Sequence, residues 1–292
     1  MYATVIVCTW NRARSLARTL SSMTELTAPA CDGWEVLVID NGSTDDTENI
    51  VGTFRDRLPV RVEREPRLGV GHARNTGIDR ARGELLVFTD DDVVVDPAWL
   101  GAHVDAATRS DADYFGGHID ACFEQPPPGW LRRNAQALHP MLCTVDLSTA
   151  HGPIGATGQP FGPNMAFRRA ALGNARFDPA LGRRGSGHIR GSDVSIVDQL
   201  RRRGAHGLWV PEAKVRHMIP PAHATLRYLC RYYAGAGATA VRLDGEDQPA
   251  TLPRIARSVA ATLVSGVLGR TDWPVHLGRA AHYIGARRER GV

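Results

Sequence analysis

A short apolar run in the first third of the chain ends in three consecutive carboxylates. Residues 85–89 have the composition of a strand that is buried on both faces, as in a parallel sheet. Asp90, Asp91 and Asp92 follow this run directly. In an open α/β sheet, ligands bind just beyond the carboxyl ends of the strands. The sequence therefore predicts that the three acids lie at a ligand site.

Three adjacent carboxylates repel one another, and each is costly to bury without a partner. A divalent cation removes that cost, and Mg²⁺ or Mn²⁺ held by one or two carboxylates completes its coordination with substrate phosphates. The simpler interpretation is a solvated acidic turn before the helix that starts near Pro97. The triplet alone leaves both interpretations open.

Two further strand-like runs precede the triplet, and each also ends in a polar turn. Residues 3–8 lead into Thr9-Trp10-Asn11-Arg12, and residues 34–39 lead into Asp40-Asn41-Gly42-Ser43-Thr44-Asp45. Because the carboxyl ends of parallel strands share one edge of a sheet, we expect both turns to converge with the triplet on one crevice. This convergence favours a ligand site over a solvated turn.

Helical periodicity alternates with these strands. Residues 13–23 place apolar side chains on one helical face, and residues 69–82 are predicted as a helix that ends at Gly83, so the chain is expected to form βαβ units. The predicted fold class is therefore α/β, with a Rossmann-like, mostly parallel central sheet flanked by helices. Further helical patterns beyond residue 221 predict a helical C-terminal extension. The only strand expected near that extension is a short one at residues 208–210.

In order and spacing, these motifs resemble those of the family 2 glycosyltransferases, which have the GT-A fold. The resemblance runs over roughly residues 1–235 and is strong because many short motifs occur in order. It implies a nucleotide-sugar-binding half at 1–120, an acceptor-binding and catalytic half at 121–220, and a helical extension at 221–292. The motifs that carry it lie at residues 9–12, 40–45, 73–77, 88–92, 162–169, 177–178, 191–193 and 211–217.

The resemblance also implies a metal-dependent enzyme that uses a nucleotide-diphosphate sugar, with a UDP-sugar as the first expectation. Asp92 is the predicted ligand of Mn²⁺ or Mg²⁺. His217, in the Pro-Glu-Ala-Lys-Val-Arg-His motif, is expected to complete the metal or diphosphate site. The alternative for His217 is a capped core or surface histidine. Asp90 and Asp91 are expected at the ribose or in the metal shell.

The remaining donor contacts are expected in the turns after the first two strands and in the helix after the third. Thr9 and Trp10 would line the base pocket. Asp40 would accept a hydrogen bond from a pyrimidine N–H, and Arg74 would reach the base or a phosphate.

Asp193 is the predicted general base, at a loop-to-helix boundary where an Asp could equally be an N-cap. The family pattern is usually Gly-Glu-Asp with a further Glu two residues after the Asp, whereas this chain has Ser192 and Ser195 at those positions. A base on the face opposite the leaving group implies single displacement with inversion. The Gln-x-x-Arg-Trp motif of processive synthases is absent from the sequence, which favours the transfer of a single sugar.

The acceptor side is expected in the irregular, Pro- and Gly-rich region 121–162, with Trp130, and at Asn164 in the Gly-Pro-Asn-Met motif. The alternative for this region is a surface loop without a ligand. The acceptor is expected to be a hydroxyl of a saccharide, a lipid-linked saccharide or a small molecule. Two other functions stay open on the sequence alone, namely a sugar nucleotidyltransferase and a non-catalytic nucleotide-sugar-binding protein.

Composition narrows the partners and the location. The formal net charge is +4 without a block of basic residues or a nucleic-acid-binding motif, so no nucleic-acid partner is expected. Five scattered cysteines without a C-x-x-C pair favour a reducing compartment, and no signal peptide or membrane-spanning run is evident. We therefore expect a cytoplasmic protein. Its C-terminal helices are expected to pack on the catalytic part or on a second subunit in a homodimer, or to contact the inner face of a membrane.

Overall fold

The structure is a computed structural model that describes residues 1–155, 158–182, 191–244 and 251–291, so the glycine-rich stretch 183–190 lies outside the described residues. The described strands are β1 (Tyr2–Thr9), β2 (Gly33–Asp40), β3 (Val60–Arg64), β4 (Leu85–Asp90), β5 (Val93–Val95), β6 (Tyr114–Phe123), β7 (Gly152–Pro153), β8 (Met165–Arg168) and β9 (Gly207–Ile219). The described α-helices are α1 (Ala13–Met23), α2 (Thr47–Gly52), α3 (Val70–Arg80), α4 (Trp99–Arg109), α5 (Gly129–Asn134), α6 (His139–Leu142), α7 (Arg169–Leu172), α8 (Ser192–Arg201), α9 (Leu226–Asp244), α10 (Leu252–Val267) and α11 (Trp273–Glu289).

Half of the sheet is the predicted parallel α/β arrangement. Strands lie in the order β3-β2-β1-β4, and every pairing among them is parallel. The register sets Thr9 opposite Asp40 and Cys8 opposite Asp90. The polar turns after β1 and β2 therefore reach the same edge of the sheet as the acidic triplet, as expected.

The other half of the sheet is antiparallel, so the sheet as a whole is mixed. β8 pairs antiparallel with both β4 and β6, and β9 pairs antiparallel with β5. β9 has 13 residues, which is much longer than the predicted strand at 208–210. The sequence carries a signal for the longer strand, because buried Ala213 and Val215 alternate with exposed Glu212, Lys214 and Arg216.

Side chains of β1, β2 and β4 are almost all buried, and they form the centre of one apolar core. α1 contributes Leu16 and Leu20 to that core, on the face that its helical spacing predicts. Phe88 of β4 packs edge-on against Phe167 and Phe177, with ring centroids 5.8 and 5.5 Å away. Strand β4 is also paired on both edges, with β1 and with β8, and this position in the sheet places the acids at its end.

The chain divides into two compact units, which differ from the predicted parts. The first unit comprises residues 1–120, 144–180 and 192–218 and contains most of the sheet. Because 144–180 and 192–218 belong to it, the predicted middle part 121–220 is split, and Asp193 and His217 share a unit with the triplet.

The second unit comprises residues 121–143, 181–191 and 219–292. It is helical over most of its described length and has its own apolar core, which includes Leu131, Leu142, Leu229 and Tyr232. Among the described residues, every helix falls short of what is needed to cross a bilayer.

Candidate active site

The three acids at the end of β4 are not equivalent. Asp91 and Asp92 are 4% and 6% exposed, whereas the side chain of Asp90 is 35% exposed. The next helix, α4, begins at Trp99. The acid that bonds the backbone just before this helix is Asp96, whose Oδ1 accepts a hydrogen bond from the Ala98 N–H at 2.9 Å. The triplet is therefore not the cap of that helix, and its burial requires cationic partners.

Arg12 supplies the first of these cations. Its Nη1 donates to Asp91 Oδ1 and to Asp92 Oδ2, both at 2.7 Å. Thr9 Oγ1 donates to the second oxygen of Asp91, also at 2.7 Å. Burial nevertheless raises the pKa of Asp91 to about 6, although Arg12 acts in the opposite direction. Asp91 is thus fixed inside the protein, with both of its oxygens used by β1 and the turn that follows.

Sequence reasoning assigned no role to Arg12, although a signal for one was present. It ends the Thr-Trp-Asn-Arg turn after β1, and β1 is the neighbour of the strand that carries the acids. A cation at one strand end and three acids at the adjacent strand end are expected to pair.

Asp92 and His217 meet because β5 pairs with β9. That pairing sets His217 opposite Val93, and His217 Nε2 lies 3.6 Å from Asp92 Oδ1. Asp92 Oδ1 is buried and has no hydrogen-bond partner among the described residues. Burial acts to raise the pKa of Asp92, but His217 and Arg12 outweigh it and hold that pKa well below its usual range. Asp92 is therefore ionised, with one oxygen still available.

An ionised, buried oxygen that accepts no hydrogen bond within the described residues and lies beside an imidazole fits a divalent cation. Within the described residues, no group of three or more His, Cys, Asp or Glu side chains has metal-binding geometry. The protein thus offers two ligand atoms, Asp92 Oδ1 and His217 Nε2, and a bound ligand would have to complete the shell. This is the usual arrangement for Mg²⁺ or Mn²⁺ that is shared with a diphosphate.

Arg74 of α3 is the second cation of the site and lies at its centre. It is 6% exposed, and its guanidinium lies over the ring of Phe177, 5.2 Å from the centroid. Nη1 donates to Asp193 Oδ1 and, at 3.0 Å, to Ser192 Oγ, while Nη2 reaches Asp90 Oδ1 at 3.4 Å. Arg74 therefore connects the end of β4 with the start of α8.

Asp193 lies in the first turn of α8, and its carboxylate contacts other segments of the chain. Oδ1 accepts hydrogen bonds from Arg74 and Ser192, and Oδ2 accepts one from the Gly162 N–H at 2.9 Å. A Cβ on Gly162 would lie 2.1 Å from Arg74 Nη2, so any other residue there would displace the guanidinium from its ion pairs. Each carboxylate oxygen can accept about two hydrogen bonds. Counting only the described residues, Oδ2 thus has room for one further hydrogen bond.

The turns after β1 and β2 are joined to each other beside this centre. Asn11 has a φ of 52°, and its side-chain oxygen accepts a hydrogen bond from the Thr44 N–H at 2.7 Å. Asp40 is buried, and its Oδ1 accepts one from the Ser43 N–H at 2.9 Å. Trp10, which precedes Asn11, is 38% exposed. The joined turns thus leave a large aromatic ring at the surface next to the buried acids.

Comparison with known proteins decides the family. The family model described as "Glycosyl transferase family 2" matches residues 4–174, which is more than half of the chain. The chain belongs to glycosyl transferase family 2. It is a nucleotide-sugar glycosyltransferase. The two alternative functions, a sugar nucleotidyltransferase and a non-catalytic nucleotide-sugar-binding protein, are thereby excluded.

Three relatives of this glycosyltransferase illustrate the range of the match. The succinoglycan biosynthesis protein ExoM of Rhizobium meliloti is 28% identical over 247 residues, covering 82% of this chain and 74% of the relative. Glycosyltransferase AglE of Haloferax volcanii is 34% identical over 41% of this chain and 40% of the relative. Validoxylamine A glucosyltransferase of Streptomyces hygroscopicus is 38% identical over 35% of this chain and 26% of the relative. The chain thus spans less than half the length of the last two.

Solved structures show the same fold. The mannosyltransferase PcManGT of Pyrobaculum calidifontis, in complex with GDP-Man and Mn²⁺, has a TM-score of 0.66 at 21% identity, over 98% of this chain and 86% of that one. Residues 1–349 of Staphylococcus aureus TarS, in complex with UDP-GlcNAc, have a TM-score of 0.59 at 16% identity, over 100% and 91%. These similarities confirm the predicted GT-A fold.

Asn164 of the glycosyltransferase does not occupy the predicted acceptor position. Its side chain is fully buried, and all of its hydrogen-bonding capacity is used within the protein. Nδ2 donates to the carbonyls of His118 and Ala213, at 2.9 and 2.7 Å. Oδ1 accepts from Trp99 Nε1 and His103 Nε2, both at 2.9 Å. The prediction that Asn164 contacts the acceptor was wrong, because its motif is a buried junction of the sheet and α4.

Trp130, the other predicted acceptor contact, lies in α5 of the second unit. It packs beside Trp273, with ring centroids 6.4 Å apart. Its contact with an acceptor stays a prediction.

Proposed function

We propose that this glycosyltransferase moves a single sugar from a nucleotide-diphosphate sugar to an acceptor hydroxyl, with a divalent cation and with inversion at the anomeric carbon. The observation that carries the proposal is the ion-pair network at the end of β4. In it, Arg12 pairs with Asp91 and Asp92, and Arg74 pairs with Asp90 and Asp193. A carboxylate oxygen that can bind a cation, Asp92 Oδ1, and one that can accept a proton, Asp193 Oδ2, thus lie in the same compact unit.

The joined turns after β1 and β2 support a nucleoside site. The exposed Trp10 offers an apolar ring against which a base can stack. Asp40 has its Oδ1 held by the Ser43 N–H, which leaves its second oxygen to accept a base N–H. A uracil ring presents such an N–H, so a UDP-sugar is the first donor to test. The complex of TarS with UDP-GlcNAc, a protein of the same fold, supports this order of testing.

The predicted metal ligands fit the geometry described above. Asp92 Oδ1 and His217 Nε2 would hold Mn²⁺ or Mg²⁺, and Arg12 keeps the other Asp92 oxygen in place. When bound, the cation supplies charge that stabilises the leaving diphosphate. The Mn²⁺ in the PcManGT complex supports the choice of Mn²⁺ as the first cation to test.

Asp193 is the proposed general base. Its Oδ2 would accept the proton of the acceptor hydroxyl as the oxygen attacks the anomeric carbon from the face opposite the diphosphate. Arg74 holds one oxygen of the carboxylate and the Gly162 N–H holds the other, so its orientation is set before the acceptor arrives. Displacement from the opposite face inverts the anomeric configuration.

The acceptor class is proposed from one relative. ExoM, matched over 82% of this chain, is named for the biosynthesis of succinoglycan, a polysaccharide, which favours a saccharide acceptor, free or lipid-linked. A small-molecule hydroxyl is the alternative, and validoxylamine A glucosyltransferase illustrates it.

A product assay tests the proposal. The enzyme is incubated with UDP-, GDP- and TDP-sugars that shift its thermal unfolding in the presence of Mn²⁺. The proposal predicts free nucleoside diphosphate, loss of turnover in EDTA, and a product whose anomeric configuration is opposite to that of the donor by NMR. Full turnover in EDTA would remove the cation, and a retained configuration would remove the single displacement.

A further inference from the structure

Helix α10, in the second unit, exposes its apolar side. Of the eleven large apolar side chains that are exposed among the described residues, six lie on α10 or directly after it, so they form a patch. We call these six the apolar face. They are Leu252 (62% exposed), Val259 (42%), Leu263 (64%), Val264 (55%), Val267 (86%) and Leu268 (66%).

The helix is therefore oriented opposite to an ordinary surface helix. Its buried positions include Ser258 and Ser265, which are 8% and 4% exposed. At about 100° per residue, Leu252, Leu263 and Val267 project from one side, and the two serines from roughly the opposite side. An ordinary surface helix would bury the leucines and expose the serines. The inversion indicates that the apolar face contacts something outside the described residues.

The charge of the surrounding segment indicates what that is. Residues 252–292 contain seven arginines and two acids, whereas residues 1–251 contain 28 basic and 29 acidic residues. The excess positive charge of the whole chain is thus confined to its last 41 residues. Helix α10 itself carries Arg254 and Arg257 and no acid, and Arg257 is exposed. An apolar stripe with the exposed Arg257 at its edge, in a segment of net positive charge, is complementary to an anionic lipid surface.

A second copy of the chain fits the face less well. A two-fold contact would place α10 against α10. The arginines of both copies would then approach one another, and α10 has no acid to pair with them. The same arginines are favourable beside anionic head groups, where each basic residue contributes about 1 kcal/mol.

We infer that the apolar face of α10 docks on an anionic membrane surface. The helix lies in the plane of the head groups, with Leu263 and Val267 inserted and Arg257 at the level of the phosphates. The helix has 16 residues, which is fewer than the roughly 20 that a helix needs to cross a bilayer, so it would lie along the interface.

Binding of the full-length chain to vesicles tests this inference. Flotation is measured with vesicles of phosphatidylcholine alone and of phosphatidylcholine with roughly one-third phosphatidylglycerol. We expect the wild-type chain to float with the anionic vesicles, to float much less with the neutral ones, and to dissociate as salt is raised. The variant Leu263→Gln/Val267→Gln should bind about tenfold more weakly or worse, because two inserted side chains are lost.

A matched control replaces exposed apolar side chains outside the face. Leu68 and Leu147 are 49% and 44% exposed, and Leu68→Gln/Leu147→Gln should float as the wild type does. Circular dichroism and the Tm verify that both variants fold.

Three results would overturn the inference. In the first, the wild-type chain does not float with anionic vesicles. In the second, the Leu263→Gln/Val267→Gln variant floats as well as the wild type. In the third, the wild type forms a concentration-dependent dimer and does not bind vesicles, and the double substitution abolishes that dimer. Since the assay contains neither donor nor acceptor, its result is independent of the proposed function.

Discussion

Replacing Asp193 with Asn tests the proposed base, because Asn has the shape of Asp but cannot take a proton. In the structure, Oδ1 of Asp193 accepts from Arg74 and Ser192, and Oδ2 accepts from the Gly162 N–H at 2.9 Å. The single side-chain oxygen of Asn can accept hydrogen bonds either from Arg74 and Ser192 or from the Gly162 N–H. Its NH₂ group then faces the other donors and cannot accept from them. The substitution thus removes the proton acceptor and weakens one side of the network.

The two consequences have different expected sizes. Loss of a general base typically lowers kcat by about 10²–10⁴-fold. Loss of a charged hydrogen bond costs about 1.5–3 kcal/mol of unfolding free energy, and we expect the lower end because Arg74 keeps its contact with Asp90 at 3.4 Å. Donor affinity should change little, since the proton moves only in the transition state.

The assay measures the release of nucleoside diphosphate at saturating donor, together with donor binding by calorimetry and stability in urea. Asp198→Asn is the matched control, because Asp198 lies on the same helix, is 41% exposed and is 3.9 Å from Arg201. It should retain the wild-type rate. An Asp193→Asn enzyme within tenfold of the wild-type kcat, or an equal loss in Asp198→Asn, would refute the assignment of the base.

Four further predictions follow from the same network and from the core beside it. Asp92→Asn should abolish the tight binding of Mn²⁺ in the presence of UDP, measured by calorimetry, while the Tm without metal changes by only a few degrees; unchanged Mn²⁺ binding would contradict the metal site. Arg12→Met should lower the free energy of unfolding in EDTA by about 2–4 kcal/mol, less than for a fully buried pair because Arg12 is 34% exposed, and added Mn²⁺ and UDP should restore part of it. Asp40→Ala should raise the donor KM by the equivalent of about 1.5–3 kcal/mol, and an unaltered KM would make Asp40 a turn residue only. Burial lowers the pKa of His103 to about 4, so the unfolded chain takes up a proton at His103 before the folded chain does as the pH falls below 6.5. The free energy of unfolding should therefore decrease on acidification. In urea titrations between pH 7 and pH 4, the wild type should lose up to about 3 kcal/mol more of this free energy than His103→Gln.

The parallel half of the fold and the position of its ligand edge are predictable from the amino-acid sequence alone. The apolar runs of β1, β2 and β4 are long enough and regular enough to identify buried strands, and the intervening periodicity placed α1 at its observed bounds. Such signals are local, since burial imposes a period on neighbouring residues whatever the rest of the chain does. The ordered motifs also identified the family, and the family match confirmed it.

The partners of the site residues, in contrast, depend on contacts between segments that are distant in the sequence. Arg74 and Asp193 are 119 residues apart, Arg12 and Asp92 are 80 residues apart, and His217 reaches Asp92 only because β9 continues beyond Pro211 to pair with β5. Asn164, in a motif that resembles an acceptor loop, is instead fully buried with four hydrogen bonds. Apart from the pairing of Arg12 with the acids, which the adjacent strand ends indicate, no local pattern encodes these outcomes. The sequence around a charged group or an amide is the same whether that group faces solvent or a buried partner. The choice is made when distant segments pack and each polar group that is removed from water must find a partner.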